Sequence, residues 1–209
     1  MKVEVLPVTP FQQNCSIIVC EETKKAAVVD PGGEVERIKQ RVNELGVEVE
    51  KILITHAHID HAGGTADLAE ALEVPIEGPE KQDIFWIEKL ADQSRMFQFP
   101  EAKVFEPTRW LEQGDKVTVG NIELEVKHCP GHTPGHVVFI NHAHKLIWVG
   151  DVLFKGSIGR TDFPMSDHAS LIQSIKDNLL TLPDDYQFIS GHGPVSNIGS
   201  ERRTNPFIQ

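Results

Sequence analysis

Four side chains able to bind a metal stand within six residues at the end of an apolar run. No other stretch constrains the fold as strongly. The string is Thr55-His56-Ala57-His58-Ile59-Asp60-His61, preceded by Ile52-Leu53-Ile54. A β-strand that stops here delivers these ligands to the rim of a sheet. His56 and His58 are two apart, so in an extended segment they face the same way. Asp60 and His61 follow at the turn into Ala62-Gly63-Gly64, where a helix over 61–72 is expected to begin. Imidazole and carboxylate together suit zinc, iron or manganese. A lone exposed His is ordinarily a surface residue, and two His at i, i+2 can arise by chance. The whole His-x-His-x-Asp-His string at a strand end is much harder to explain that way.

The remaining ligands of such a site must come from other loops that follow strands. His132 lies in His128-Cys129-Pro130-Gly131-His132-Thr133-Pro134-Gly135-His136, where Pro and Gly make a sharp loop. Asp151 ends the apolar strand Trp148-Val149-Gly150-Asp151, and His192 stands between two glycines after Gln187-Phe188-Ile189-Ser190. Alone, each is weak: an acid at a strand end is often a turn former. Together they complete two sets. One metal would take His56, His58 and His132, the other Asp60, His61 and His192, with Asp151 bridging. Each metal keeps a position for a shared water, as a catalytic site requires. His128 and His136 are explained by strand packing, and His142, His144 and His168 by surface positions. Cys129 could ligate through sulfur, but a buried wall residue is the preferred reading.

The chain has 209 residues, 40% of them hydrophobic. That fits a globular protein with a large core, either one domain of two sheets or two small domains. The net charge of −11, with no basic stripe, argues against nucleic acid as a partner. No apolar run approaches a membrane span, so no membrane partner is expected. Met1-Lys2-Val3-Glu4-Val5 alternates like a strand and does not resemble a signal peptide. Cys15, Cys20 and Cys129 cannot all pair, and a reduced, cytoplasmic protein is the simplest reading.

Strands are expected at 3–8, 14–20, 25–30, 51–55 and 74–76, then at 117–119, 122–128, 136–140, 145–149 and 187–190. Val35, Ile38, Val42 and Leu45 fall at helical spacing, with Gly46 as the stop. A further helix is expected at 167–180. Residues 80–99 carry Ile84, Phe85, Trp86, Ile87 and Leu90 in a helical pattern. They either cover the mouth of the site or pack on a sheet edge. Two strand sets, each with helices, point to an α/β sandwich of two sheets with helices outside.

With these residues in hand, the chain resembles the metallo-β-lactamase superfamily. His56, His58, Asp60, His61, His132, Asp151 and His192 stand in that superfamily's order. Within it the chain is similar to the short bacterial type II glyoxalases, the hydroxyacylglutathione hydrolases. Thr55–Gly64, Cys129–His136, Gly159-Arg160-Thr161-Asp162-Phe163-Pro164 and the tail Glu201-Arg202-Arg203-Thr204-Asn205-Pro206-Phe207 carry that likeness. The resemblance implies an αββα four-layer sandwich of two mixed β-sheets, with the metals at one edge. It implies two divalent metals, zinc first, with iron or manganese as alternatives. It implies hydrolysis of S-D-lactoylglutathione to D-lactate and glutathione by a hydroxide held between them, which Asp60 orients. Longer members carry a C-terminal helical glutathione-binding domain. Here one domain over residues 1–209 is expected, as a monomer or weak homo-oligomer.

Departures accompany the likeness. Gly193-Pro194 stands where longer members often have Glu-Tyr, and Arg160 where they have Lys. Arg160 is the first choice for gripping a substrate carboxylate in two bonds, with Lys155, Arg202 and Arg203 behind it. The nearest rival is an iron-dependent persulfide dioxygenase of the same superfamily, which shares the ligand string. Another hydrolase of this fold, such as a lactonase, is a second rival.

Overall fold

The computed structural model describes residues 1–209. One mixed sheet holds β1 (Lys2–Val8), β2 (Gln13–Val19), β3 (Lys25–Val29), β4 (Glu48–Leu53) and β5 (Ile76–Glu77), in that spatial order. β1 to β3 are antiparallel; β4 and β5 run parallel to β3. The second mixed sheet is built from β6 (Lys116–Val119), β7 (Ile122–His128), β8 (Val137–Asn141), β9 (Leu146–Gly150), β12 (Gln187–Ser190) and β13 (Ser196–Asn197). Its order is β13-β12-β9-β8-β7-β6. A two-strand hairpin, β10 (Leu153–Phe154) and β11 (Ser157–Ile158), stands apart.

Alternation along the central strands produces the layers. Ile18, Leu53, Phe139 and Trp148 point between the sheets into one core. Their neighbours Ile17, Val19 and Ile52 point outward, under α1 (Val35–Leu45) and α3 (Thr65–Leu72), against Ile38, Val42 and Leu68. Ile140, Ile147, Val149 and Phe188 point the other way, under α6 (His168–Ser174), against Leu171. Each central strand is therefore buried on both faces and reads as a continuous apolar run. The result is the expected αββα sandwich.

Strand direction positions the site. β3 and β4 are parallel, so Asp30 and the His-rich string emerge at the same edge of the first sheet. In the second sheet β7 and β9 both pair antiparallel with β8, and β12 is parallel to β9. These three strands share one direction, and the loops after them carry His132, Asp151 and His192. Ligand sites outside the carboxyl ends of parallel strands are the rule in sheets with this connectivity.

Several elements depart from the sequence expectation. β4 stops at Leu53, so His56 and His58 lie in the loop beyond the strand. The helix expected over 61–72 is two pieces, α2 (Ile59–Ala62) and α3, broken at Gly63-Gly64. The Pro31-Gly32 turn presses into this break: Gly64 N–H donates to Pro31 O at 2.9 Å. A Cβ on Gly32 would lie 1.5 Å from Asp60 O, so only glycine allows the approach. The 80–99 stretch is a 3₁₀ turn at Lys81–Asp83 followed by α4 (Ile84–Ile87) and α5 (Leu90–Phe97). The helix expected at 167–180 is α6 running into a π-helical turn at Ile175–Leu179. The β10–β11 hairpin, β13 and α7 (Ile198–Thr204) carry too few residues for a periodic signal. No helix is long and apolar enough to cross a membrane.

Candidate metal centre

All seven expected ligands meet at one corner. Donor atoms of His56, His58 and His132 lie within 4.8 Å of one another, and so do those of Asp60, His61 and His192. Asp151 stands between the groups, with Oδ2 3.5 Å from His132 Nε2 and Oδ1 3.3 Å from His61 Nε2. His192 Nε2 is 3.0 Å from Asp60 Oδ2.

The surrounding hydrogen bonds orient the imidazoles. Thr55 Oγ1 donates to Asp30 Oδ2 and so accepts from His56 Nδ1 at 3.1 Å. His61 Nδ1 donates to Asp30 Oδ2 at 2.9 Å, His132 Nδ1 to Arg160 O at 2.8 Å, and His192 Nδ1 to Phe11 O at 3.1 Å. With Nδ1 protonated, all four present an Nε2 lone pair to the centre, the usual arrangement around a metal. Asp30 also groups with His56 and His61. Its carboxylate is spent on Thr55 and His61, so it orients ligands and does not compete with them.

Electrostatics ask for a cation here. Burial, reinforced by neighbouring imidazoles, holds His56 and His58 well below the ordinary histidine range. Burial also lowers His132. Burial works against charge on His61 too, yet Asp151, Asp60 and Asp30 hold it well above that range. His192 is raised against its burial by Asp60 and Asp151. Asp151 is driven well below the carboxylate range by His61, His132 and His192, despite burial. Buried His56 Nε2 has no hydrogen-bond partner, and His61 Nε2 and Asp151 Oδ1 meet only each other, at 3.3 Å and without a well-formed hydrogen bond. Orphaned lone pairs this deep are costly unless they hold an ion. The donor set is nitrogen and oxygen throughout, and the Cys129 thiol is buried and pushed up to about 12 by that burial. The site fits divalent metals.

Three supporting residues escaped the sequence reading. His136, read there as strand packing, stacks on His56 with ring centroids 4.5 Å apart, and its Nε2 accepts from Asp151 N–H at 3.1 Å. Gln93 on α5 accepts from Ile59 N–H at 2.9 Å. Asp83 accepts from Ala57 N–H and Thr133 Oγ1, each at 2.9 Å, and from Gly135 N–H at 2.6 Å. It ties the His56–His58 loop to the His132–His136 loop. The only local signal was Asp83's place before an apolar helical pattern.

Asp83→Ala leaves three buried donors unpaired and is expected to cost about 3 kcal/mol or more, or ~10 °C in Tm. Burial pushes the Asp83 carboxyl up to about 7, against the donors that favour its anion. The folded state thus binds this proton more tightly than the unfolded chain. Asp83's contribution is greatest at acid pH and declines as pH rises to about 7. The Tm gap between wild type and Asp83→Ala should narrow from pH 5 to 8; a constant gap would exclude that titration.

A cavity of about 630 Å³ opens over the ligands. Residues of α4 and α5 line it, among them Phe85, Trp86, Gln93 and Phe97, so the 80–99 segment covers the site. Arg160 also lines it, but its guanidinium is held by both Asp162 carboxylate oxygens and lies 4.4 Å over the Phe163 ring. Lys155, Arg202 and Arg203 do not reach the cavity. Arg202 closes on the carbonyls of Leu180 and Leu182, and both arginines pair with Asp184. They anchor α7, which explains their charge without a ligand.

Known proteins resemble this chain in sequence and fold. Hydroxyacylglutathione hydrolase GloC of Haemophilus influenzae is 47% identical over 209 residues, covering 100% of this chain and 98% of that one. The crystal structure of BLEG-1 B3 metallo-β-lactamase superposes with a TM-score of 0.91 at 32% identity, covering 99% of both chains. That of TTHA1623, in a di-iron-bound form, gives 0.89 at 36% identity, covering 98% of this chain and 99% of that one. The metallo-β-lactamase superfamily model matches residues 8–192, a span that contains every one of the seven converging side chains. By fold, ligand order and sequence, the chain belongs to the metallo-β-lactamase superfamily.

Proposed function

We propose that this protein is a thioester hydrolase that cleaves S-D-lactoylglutathione with water to D-lactate and glutathione. The observation that carries the reading is the pair of three-ligand groups joined by Asp151. It is supported by full-length likeness to a hydroxyacylglutathione hydrolase. His56, His58 and His132 would hold one divalent metal, and Asp60, His61 and His192 the other, with Asp151 shared. Zinc suits the nitrogen-rich set, and iron or manganese is compatible with it. When bound, such ions supply a Lewis acid and an acidified water.

The chain's own groups do the rest. Asp60 Oδ2 faces His192 Nε2, where it can accept a hydrogen bond from the attacking water and orient its lone pair. Water oxygen adds to the acyl carbon, the C–S bond breaks, and glutathione leaves as a thiolate. A thiolate near pKa ~8.5 needs little help from a general acid. The cavity's one serine, Ser157, and one lysine, Lys89, which lies over the Phe85 ring, are not needed as nucleophiles in this scheme. Gln93, Trp86 and α5 shield the reacting carbonyl from bulk water. The three buried cysteines are unpaired, in keeping with a reducing, cytoplasmic setting.

The test joins two assays on protein of measured metal content: S-lactoylglutathione hydrolysis and oxygen uptake with glutathione persulfide. Thioester cleavage is expected, abolished by chelation and restored by added metal. Oxygen uptake without cleavage would favour the dioxygenase.

A further inference from the structure

The cavity wall closest to the ligands is aromatic. Trp86 stands edge-on to His58 with centroids 4.6 Å apart, and Phe163 lies 4.9 Å from His58 and 5.9 Å from His132. Phe85 abuts Trp86 at 5.3 Å. Further out, Phe11 and Phe97 meet edge-on at 5.7 Å and are 45% and 38% exposed. The cavity's two cations are both turned to other tasks: Arg160 is held by Asp162, and Lys89 Nζ lies 5.1 Å over the Phe85 ring.

We infer that the acyl group preferred here carries an aromatic or branched apolar substituent, a deepening that rests on the thioester reading. The scissile carbonyl must lie at the ligands, so the short acyl substituent stays beside them, within reach of Trp86 and Phe163. The longer thiol arm has to run outward, past Lys89 and Arg160 at the rim. Trp86 is already 6% exposed, so the open part of that wall is the half-buried Phe163 ring, which a lactoyl methyl leaves facing water. A ring stacked edge-on there buries apolar surface with favourable aromatic geometry. One methylene in an apolar pocket already discriminates about 10–200-fold. The reaction is the same for either acyl group: water adds to the carbonyl carbon, the C–S bond breaks, and acid and thiol leave.

Two substrates with one thiol isolate the acyl side. kcat/KM is measured on metal-loaded enzyme for S-D-lactoylglutathione and S-D-mandeloylglutathione, in which phenyl replaces methyl. The mandeloyl thioester is expected to be better by about tenfold or more. Phe163→Ala, at a half-buried position, should cut that ratio toward one by lowering the mandeloyl rate, at unchanged metal content. Lactoyl turnover equal to or above mandeloyl turnover overturns the inference and leaves the hydrolase reading intact. So does a ratio that survives Phe163→Ala. Failure to cleave either thioester overturns both.

Discussion

Asp60→Ala is expected to abolish thioester turnover, by ~10³-fold or more, the scale on which a preorganised electrostatic contact acts. Asp60 has two duties in the proposed chemistry. Its Oδ2 lies 3.0 Å from His192 Nε2 and 3.7 Å from His61 Nε2, so it would share a metal held by them. It is also the carboxylate proposed to orient the attacking water. Metal analysis separates the duties. Loss of one metal with loss of activity reports ligation. Full metal with lost activity reports orientation. Near-normal kcat in a fully loaded variant would remove Asp60 from the mechanism.

Gly191→Ala should be almost as damaging, although it removes no functional group. A Cβ there would lie 2.1 Å from Asp151 Oδ1 and 2.5 Å from His61 Cε1. Relief cannot come from the glycine's own backbone. The Gly191 backbone is held at both ends of its peptide unit: its N–H donates to Gly150 O at 2.7 Å, and its C=O accepts from Asn14 N–H at 2.7 Å. Asp151 or His61 must then move by about an ångström, which costs ~10²-fold in a preorganised site. Metal stoichiometry and kcat/KM should fall together while far-UV circular dichroism stays native. Retention of both would show that the corner is softer than its contacts indicate.

Much of this molecule could be read from residue order. The runs at 14–20, 25–30 and 145–149 announced strands; the structure adds that helices cover the sheets, so these strands are buried on both faces. The His-x-His-x-Asp-His string announced its chemistry because four donors in six residues have few other uses. Glycine breaks were harder to read. Gly63-Gly64 lay within a helical pattern, and only the Pro31-Gly32 turn pressing from elsewhere in the chain divides it. Arg160 shows how a neighbour can engage a charge. Its charge suggested a carboxylate grip, but Asp162, two residues on, already occupies the guanidinium.

The sequence by itself determined the donor atoms, the strand and helix periodicities and the order of ligands along the chain. These depend on side-chain chemistry and on spacing within a few residues. The tertiary structure alone decided that β4, β7, β9 and β12 end at one corner. It likewise decided which imidazole nitrogen faces inward and that α4 and α5 roof the site with aromatic rings. Those outcomes rest on strand direction and on hydrogen bonds spanning up to 181 residues, as from His192 to Phe11. No local pattern encodes a partner that far away.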